Sequence, residues 1–150
     1  MAVVSTPTGR ALGVDLGSRR IGLALSDPTR TVASPHAVLR RAADHGHDHE
    51  AIISAARGEG VTTIVVGLPL SLSGKAGPAA RAAREEVEEL RVWAAKEGID
   101  VVVHDERFTT VTAERTLVEA GMRRDARRGI VDKVAAAVML QSWLERGGKS

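Results

Sequence analysis

The chain has 150 residues, 43% of them hydrophobic, which predicts one domain with a single core over residues 1–150. The net charge of +2 is too small to indicate nucleic-acid binding by itself, and 2% aromatic residues argue against a base-stacking surface. The longest apolar run, Val134 to Leu140, is too short to span a membrane. Without cysteine or a signal-like opening, the chain is expected to be cytoplasmic, with flexible tails at 1–9 and 146–150.

A hairpin is predicted near the start, where LGVDLGSRRIGLALSD places two apolar runs on either side of a turn. Alternation in the first strand puts Asp15 on the same face as Gly13 and Gly17. Because these glycines have no side chain, that face has room for a metal ion or a phosphate beside the carboxylate. The alternative is an Asp that caps the turn, but Asp15 lies inside the apolar run.

A histidine-rich segment follows a short third strand expected at Ala37 to Leu39. In this segment His45, His47 and His49 alternate with acidic residues, which superficially suggests a metal site. Their spacing fits no closed tetrahedral pattern, so a solvated linker into a helix over His49–Arg57 is the preferred interpretation.

Two further strands are predicted, and each ends in residues that could carry chemistry. Val61 to Gly67 has the pattern of a buried central strand, followed by a Gly- and Ser-rich loop and a helix from about Ala79. That loop either contacts phosphate through Lys75 or simply connects strand to helix. The strand Ile99 to Val103 leads into Asp105 and Glu106, which alternation places on opposite faces, so only one of them can join Asp15.

The last third of the chain is predicted to hold two helices. The first covers Val111 to Ala120, and residues 121–129, with four arginines, are expected to form a solvated loop. The second, Ile130 to Leu144, is apolar on most sides, yet Asp132 shares the inward stripe with Met139. Asp132 either belongs to a site or complements the helix dipole.

Three acids, Asp15, Glu106 and Asp132, therefore stand within or at the ends of apolar elements, where an uncompensated charge is costly. A divalent cation would compensate them, and Mg²⁺ favours a few carboxylates together with water and substrate phosphate. Paired ions of this kind support phosphodiester hydrolysis. Basic residues around these acids are the candidates for nucleic-acid binding: Arg19, Arg20, Lys75, Arg107, Arg123, Arg124, Arg127, Arg128 and Lys133.

Four segments, in this order, resemble the YqgF-type family of RNase H-like nucleases, described as pre-16S ribosomal RNA nucleases or as Holliday junction resolvases: GVDLGSRRIGLALSD, IVVGLPLSLSG, DERFTT and VDKVAAAVMLQSWL. The resemblance runs from Ala11 to Leu144. It implies an α/β, RNase H-like fold, in which a mixed five-stranded sheet starts with an antiparallel hairpin and is flanked by helices. It also implies a catalytic Mg²⁺ or Mn²⁺ site formed by Asp15, Glu106 and Asp132.

The resemblance favours a metal-dependent endonuclease, acting in 5′-end processing of pre-16S ribosomal RNA during ribosome biogenesis. The alternative is a Holliday junction resolvase acting on branched DNA, which needs two symmetric sites and hence a dimer. A monomer or a weak homodimer is expected, with nucleic acid as its partner and no membrane. A noncatalytic RNA-binding factor is less favoured, because clustered acids beside phosphates would not help a binder. An actin-like ATPase would need a second domain, for which the chain is too short.

Overall fold

A five-stranded mixed sheet forms the centre of the molecule, with strand order β3-β2-β1-β4-β5. The computed structural model describes residues 9–69, 77–108 and 124–148. The first three strands pair antiparallel, whereas the fourth runs parallel to the first and the fifth parallel to the fourth. This arrangement confirms the predicted sheet and its antiparallel start. The strands are β1 (Arg10–Leu16), β2 (Arg20–Ser26), β3 (Ala33–Arg40), β4 (Val61–Leu68) and β5 (Asp100–Asp105).

Helices cover both faces of the sheet. On one face lie α1 (His45–Gly58) and α2 (Pro78–Ala95), and on the other lies α3 (Arg124–Glu145). A 3₁₀ turn, Glu106–Phe108, directly follows β5. Because both faces are covered, the central strands are nearly continuous in apolar residues, as the sequence predicted for the fourth strand.

Alternation along β1 divides the core into two clusters. Leu12 and Val14 face α1 and α2, where they belong to the same buried cluster as Ile52 and Leu90. Ala11 lies in the opposite cluster with the buried side of α3, which contributes small and flexible side chains. The small residues on this second face allow α3 to approach the sheet closely.

The turn between β1 and β2 requires glycine at position 17. The backbone N–H of Gly17 donates to the carbonyl of Arg20 at 3.0 Å, which closes the hairpin. A Cβ at Gly17 would lie only 2.5 Å from that carbonyl oxygen. The predicted hairpin and its turn are thus present, and Asp15 lies one residue before the end of β1.

Two predicted boundaries are wrong. Helix α1 begins at His45 rather than His49, because the side chain of Asp44 accepts a hydrogen bond from the backbone N–H of His47 at 2.9 Å and caps the helix. The segment from His45 onward is therefore helix, not linker. Helix α3 begins at Arg124, so residues 124–129 are helical rather than part of a loop. Arginine is a good helix former, and an arginine-rich stretch can continue a helix as readily as interrupt it.

Other predictions differ in extent or lie outside the described residues. The third strand is longer than expected, because β3 pairs with β2 along Ala33–Arg40. At the chain end, the backbone N–H of Gly148 bonds to the carbonyl of Trp143 at 2.9 Å, which caps α3. The helix expected over 111–120, most of the loop after β4 and residues 1–8 lie outside the part described. Among the described helices, none combines the length and apolarity that crossing a bilayer requires.

Candidate active site

Asp15 is the central carboxylate of the candidate site, and glycines surround it. Its partner across the hairpin is Gly22, and Gly67 follows Val66, the residue that pairs with Val14 on the other side. Residues that pair across neighbouring strands face the same side of the sheet. Asp15 therefore has a glycine beside it on both neighbouring strands, on the face of the sheet that α3 covers.

The backbone of α3 brings Asp132 next to these glycines. A Cβ at Gly22 would overlap the backbone carbonyl oxygen of Asp132, so α3 rests directly on β2 at the position opposite Asp15. The Asp132 side chain is 17% exposed, and its Oδ2 accepts a hydrogen bond from Nε of Arg20 at 2.6 Å. Arg20 thus orients this carboxylate and offsets its charge.

Glu106 reaches the same face from the other side of Asp15. A Cβ at Gly67 would lie 2.9 Å from Oε1 of Glu106 and 3.2 Å from Cγ of Met139. The Glu106 carboxylate therefore covers Gly67 on the side that α3 occupies. Strands β1 and β5 and helix α3 bring the three predicted acids to one end of the sheet, on one face.

Asp105 does not share this position. Along β5 it lies two residues after Val103 and therefore on the same face, which packs against the core under α1 and α2. Nε of Arg107 donates to Oδ2 of Asp105 at 2.8 Å, and this hydrogen bond lowers the pKa of the Asp105 carboxyl. As alternation predicted, only one of these two acids lies on the face of Asp15, and it is Glu106.

His104, which the sequence did not single out, supports this end of the sheet. It pairs with Gly67 in the β4–β5 register and is fully buried. Its Nε2 lies 3.1 Å from Oγ of Ser142, which ties β5 to α3. Burial lowers the pKa of the His104 imidazole, which favours its neutral form.

The predicted nucleic-acid contacts are distributed unevenly. Arg19 is exposed at the hairpin turn, whereas Arg20 and Arg107 are paired with acids. Lys133 is half-buried next to Asp132. The first turns of α3 contain three further arginines. These are Arg124, Arg127 and Arg128, whereas Lys75 and Arg123 lie outside the described residues.

The sheet order, the flanking helices and the acid-bearing end of β1 define an RNase H-like fold of the resolvase class. The structure of Thermus thermophilus RuvC in complex with a Holliday junction substrate matches with a TM-score of 0.60 at 15% identity, covering 93% of this chain and 96% of that one. The yeast mitochondrial Holliday junction resolvase matches with a TM-score of 0.50 at 12% identity, over 92% of this chain and 78% of that one.

Sequence comparison identifies the family. The model of the RuvX family, described as Holliday junction resolvase, matches residues 9–146, and the chain belongs to this family. A relative from Roseiflexus sp. (strain RS-1), named "Putative pre-16S rRNA nuclease", is 41% identical over 144 residues, covering 95% of this chain and 98% of that protein. A relative of the same name from Mycobacteroides abscessus is 43% identical over 92% of this chain and 82% of that protein. The family and these nuclease-named relatives support a hydrolytic endonuclease.

The three acids fit a divalent metal ion. Carboxylate oxygens are the ligands preferred by hard divalent cations, and both Asp15 and Glu106 remain partly exposed. Gly22 and Gly67 keep side chains out of the space around Asp15. The Arg20 guanidinium occupies only one oxygen of Asp132, which leaves the other oxygen for a ligand role.

Proposed function

We propose that this protein is an endonuclease that hydrolyses phosphodiester bonds with Mg²⁺ or Mn²⁺ held by Asp15, Glu106 and Asp132. The observation that carries the proposal is the arrangement of glycines around Asp15. Asp15 has Gly22 and Gly67 beside it, and these two positions are where α3 and the Glu106 carboxylate approach the sheet. Three acids that converge on a position flanked by glycines form the arrangement that cation-assisted phosphoryl chemistry requires.

Each acid has a distinct role in this site. Asp15 stands on a rigid central strand and would hold the metal from the middle of the site, while Glu106 and Asp132 would hold it from either side. When bound, the ions would activate a water molecule and stabilise the leaving oxygen. Arg20 keeps Asp132 in place through its 2.6 Å hydrogen bond, and the basic residues around the site would hold the flanking phosphates.

The proposed substrate is the precursor of 16S ribosomal RNA, cleaved at its 5′ side. The support is the shared name of relatives that are 41% and 43% identical over more than nine-tenths of this chain. Such a role would place the protein in the cytoplasm.

A second candidate substrate is a four-way DNA junction. The description of the matching family and the fold shared with RuvC favour it. Resolution of a junction needs two symmetric cuts and hence two active sites, so a resolvase would have to dimerise. Sedimentation of the protein at working concentration, with and without the junction, tests this requirement.

The central experiment incubates the purified protein with precursor ribosomal RNA and with a four-way DNA junction, each with Mg²⁺, Mn²⁺ or EDTA. Cleavage of the RNA in Mg²⁺ or Mn²⁺ but not in EDTA is expected. The matched pair of variants is Glu106→Gln and Asp105→Asn, since these neighbouring acids lie on opposite faces of the sheet. Glu106→Gln should lose cleavage, whereas Asp105→Asn should cut at near-parent rate.

Each result has a separate meaning. Preferential cutting of the junction, together with dimers, would replace the RNA substrate by branched DNA and keep the metal mechanism. Undiminished cutting in EDTA, by protein free of contaminating nuclease, would overturn the metal mechanism. Equal activity of the Glu106→Gln variant and the parent would remove Glu106 from the site.

A further inference from the structure

On the opposite face of the sheet, two histidines and a glutamate converge between α1 and α2. His45 and His49 are one helical turn apart on α1, and their ring centroids are 5.6 Å apart. Nδ1 of His45 lies 2.8 Å from Oε2 of Glu89 on α2. One ligand atom from each of His45, His49 and Glu89 lies within 4.8 Å of the other two, so the three are close enough to converge on one metal ion.

His49 also has the outer contact that metal-binding histidines make. It is 1% exposed, and its Nε2 lies 3.0 Å from Oε2 of Glu86. Coordination through the other ring nitrogen, Nδ1, would keep this contact, and a carboxylate on the far nitrogen fixes the ring and increases its basicity. Glu86 is in turn held by Arg41, with hydrogen bonds of 2.5 and 2.9 Å.

The local charge favours a cation. Arg41 is shared by two carboxylates, Glu86 and Asp48, so its single positive charge leaves one of them uncompensated. Glu89 adds another negative charge beside the histidines. Together these acids offset the partial positive charge at the start of α1, which by itself disfavours a cation.

We propose that His45, His49 and Glu89 bind a zinc-class transition-metal ion that ties α1 to α2. Two imidazoles and one carboxylate form a donor set that suits Zn²⁺, whereas Mg²⁺ prefers oxygen ligands alone. This ligand set differs from the acids under α3, and the metal site does not depend on the nuclease proposal. The sequence predicted a linker for the histidine segment. Because the segment is helical instead, His45 and His49 lie on the same side of α1.

His47 provides the matched control. It lies in the same segment, but its Nδ1 is 2.7 Å from Oδ2 of Asp44, and its side chain is 73% exposed. His45 and Glu89 are also more than half exposed on their side chains, so replacing either by Gln should not disturb folding. Variants of His49 are less informative, since this side chain is fully packed.

The test is isothermal titration calorimetry of the full chain with ZnCl₂, in a large excess of MgCl₂ to occupy the acids under α3. The parent and His47→Gln should bind one Zn²⁺ per chain with equal affinity. His45→Gln and Glu89→Gln should each bind at least about 10-fold more weakly. Zn²⁺ should also raise the melting temperature of the parent and His47→Gln, because an ion that binds only the folded state stabilises it.

The proposal is overturned by either of two results. One is a parent protein that binds no Zn²⁺ in excess Mg²⁺. The other is unchanged Zn²⁺ affinity in both His45→Gln and Glu89→Gln, which would assign the binding to other residues. Loss of nuclease activity in these variants is not required, so the result is independent of whether the protein cleaves RNA.

Discussion

Gly22 is the residue on which the approach of α3 to the sheet depends. A methyl group there would overlap the carbonyl oxygen of Asp132, so Gly22→Ala must push the helix away from Asp15. We expect a loss of about 1–3 kcal/mol in the free energy of unfolding and a large loss of cleavage. The control is Gly58→Ala, at the end of α1, where a Cβ would meet nothing within 4 Å.

Melting curves and cleavage rates of both variants test this expectation. Gly58→Ala should leave cleavage unchanged and stabilise the protein by up to about 1 kcal/mol, because alanine is the better helix former. If Gly22→Ala keeps both its stability and its rate, the close contact between β2 and α3 is not needed for the site.

Asp132 can be tested separately from its ion pair with Arg20. Asp132→Asn and Arg20→Gln both break the pair, whose side chains are 17% and 26% exposed, but only the first removes a carboxylate. We expect Asp132→Asn to abolish cleavage while nucleic-acid binding remains, since the effect falls on the chemical step. Arg20→Gln should keep a substantial rate. Stability should fall by only about 1 kcal/mol in each variant.

Rates under saturating substrate, binding by filter retention and melting temperatures together distinguish the two roles. A near-parent rate for Asp132→Asn would mean that Asp132 only complements the dipole of α3 and has no part in cleavage. Equal loss of rate in the two variants would mean that the ion pair itself, and not the free carboxylate, is what the site requires.

At the scale of single residues, the sequence singles out the candidate acids but not the residues that surround them. Asp15 and Asp132 could be picked out because each is a charge within an apolar pattern. The roles of Gly22 and Gly67 depend on which strands are neighbours, which only the sheet order determines. Likewise, the pairing of Arg20 with Asp132 joins residues 112 positions apart, and no local spacing predicts it.

Among the elements, α1 and α2 are joined to the hairpin through one buried polar network. Arg41 donates from Nε to the carbonyl of Gly17 at 2.9 Å and from its other nitrogens to Glu86 and Asp48. Burial opposes the ionisation of Glu86, but hydrogen bonds from His49 and Arg41 outweigh it and lower its pKa to about 2. The network therefore links both helices to the turn that follows Asp15.

This lowered pKa predicts a specific acid sensitivity. The ordinary pKa of the Glu86 carboxyl is 4.5, so its contribution is complete above about pH 4.5 and is lost as the pH falls towards about 2. Glu86→Gln should destabilise the protein by about 2–3 kcal/mol at pH 7, because Arg41 and His49 lose a buried charged partner. The difference from the parent should shrink steadily below pH 4.5.

Urea unfolding of both proteins between pH 7 and pH 3 measures this difference. Glu88→Gln is the control, since Glu88 is 66% exposed and pairs along α2 with Arg91. It should change the stability by less than about 0.5 kcal/mol at any pH. A constant difference between Glu86→Gln and the parent across the whole range would contradict the depressed pKa.

Element identities were more predictable than element boundaries. The strands carry either alternating or continuous apolar patterns, and all five were expected, although β3 is longer than the predicted Ala37 to Leu39. The predicted starts of α1 and α3 were wrong because the segments with His45, His47 and the arginines after 123 are polar throughout. Such segments have no hydrophobic periodicity from which a helix could be predicted. The Asp44 cap and the helix propensity of arginine decide these two boundaries.

At the scale of the whole molecule, the two faces of the sheet carry different kinds of residues. The face under α3 holds the three acids, whereas the face under α1 and α2 holds a large apolar core and the histidine cluster. Of the basic candidates for phosphate binding, Arg20 lies beside Asp132 and Arg107 beside Asp105. Only those near the acids should matter for the substrate, since a net charge of +2 provides little general attraction.

The start of α3 is where this division can be tested. Replacing Arg124, Arg127 and Arg128 together by Ala should preserve the helix, because alanine is the best helix former. Substrate affinity should fall, and the slope of log affinity against log salt concentration should flatten by about 0.7–0.9 for each phosphate that is no longer neutralised. The control replaces three exposed arginines of the other layer, Arg57, Arg81 and Arg84, by Ala.

Because both triple variants remove the same net charge, a general electrostatic effect would change their affinities equally. Direct binding of the substrate by α3 would instead flatten the salt dependence of the first variant only. Binding measured from about 50 to 200 mM salt distinguishes these outcomes, with circular dichroism to verify that the helices remain. Equal slopes for the parent and the α3 variant would remove these arginines from the substrate path and leave Arg19 and Lys133 as the candidates beside the acids.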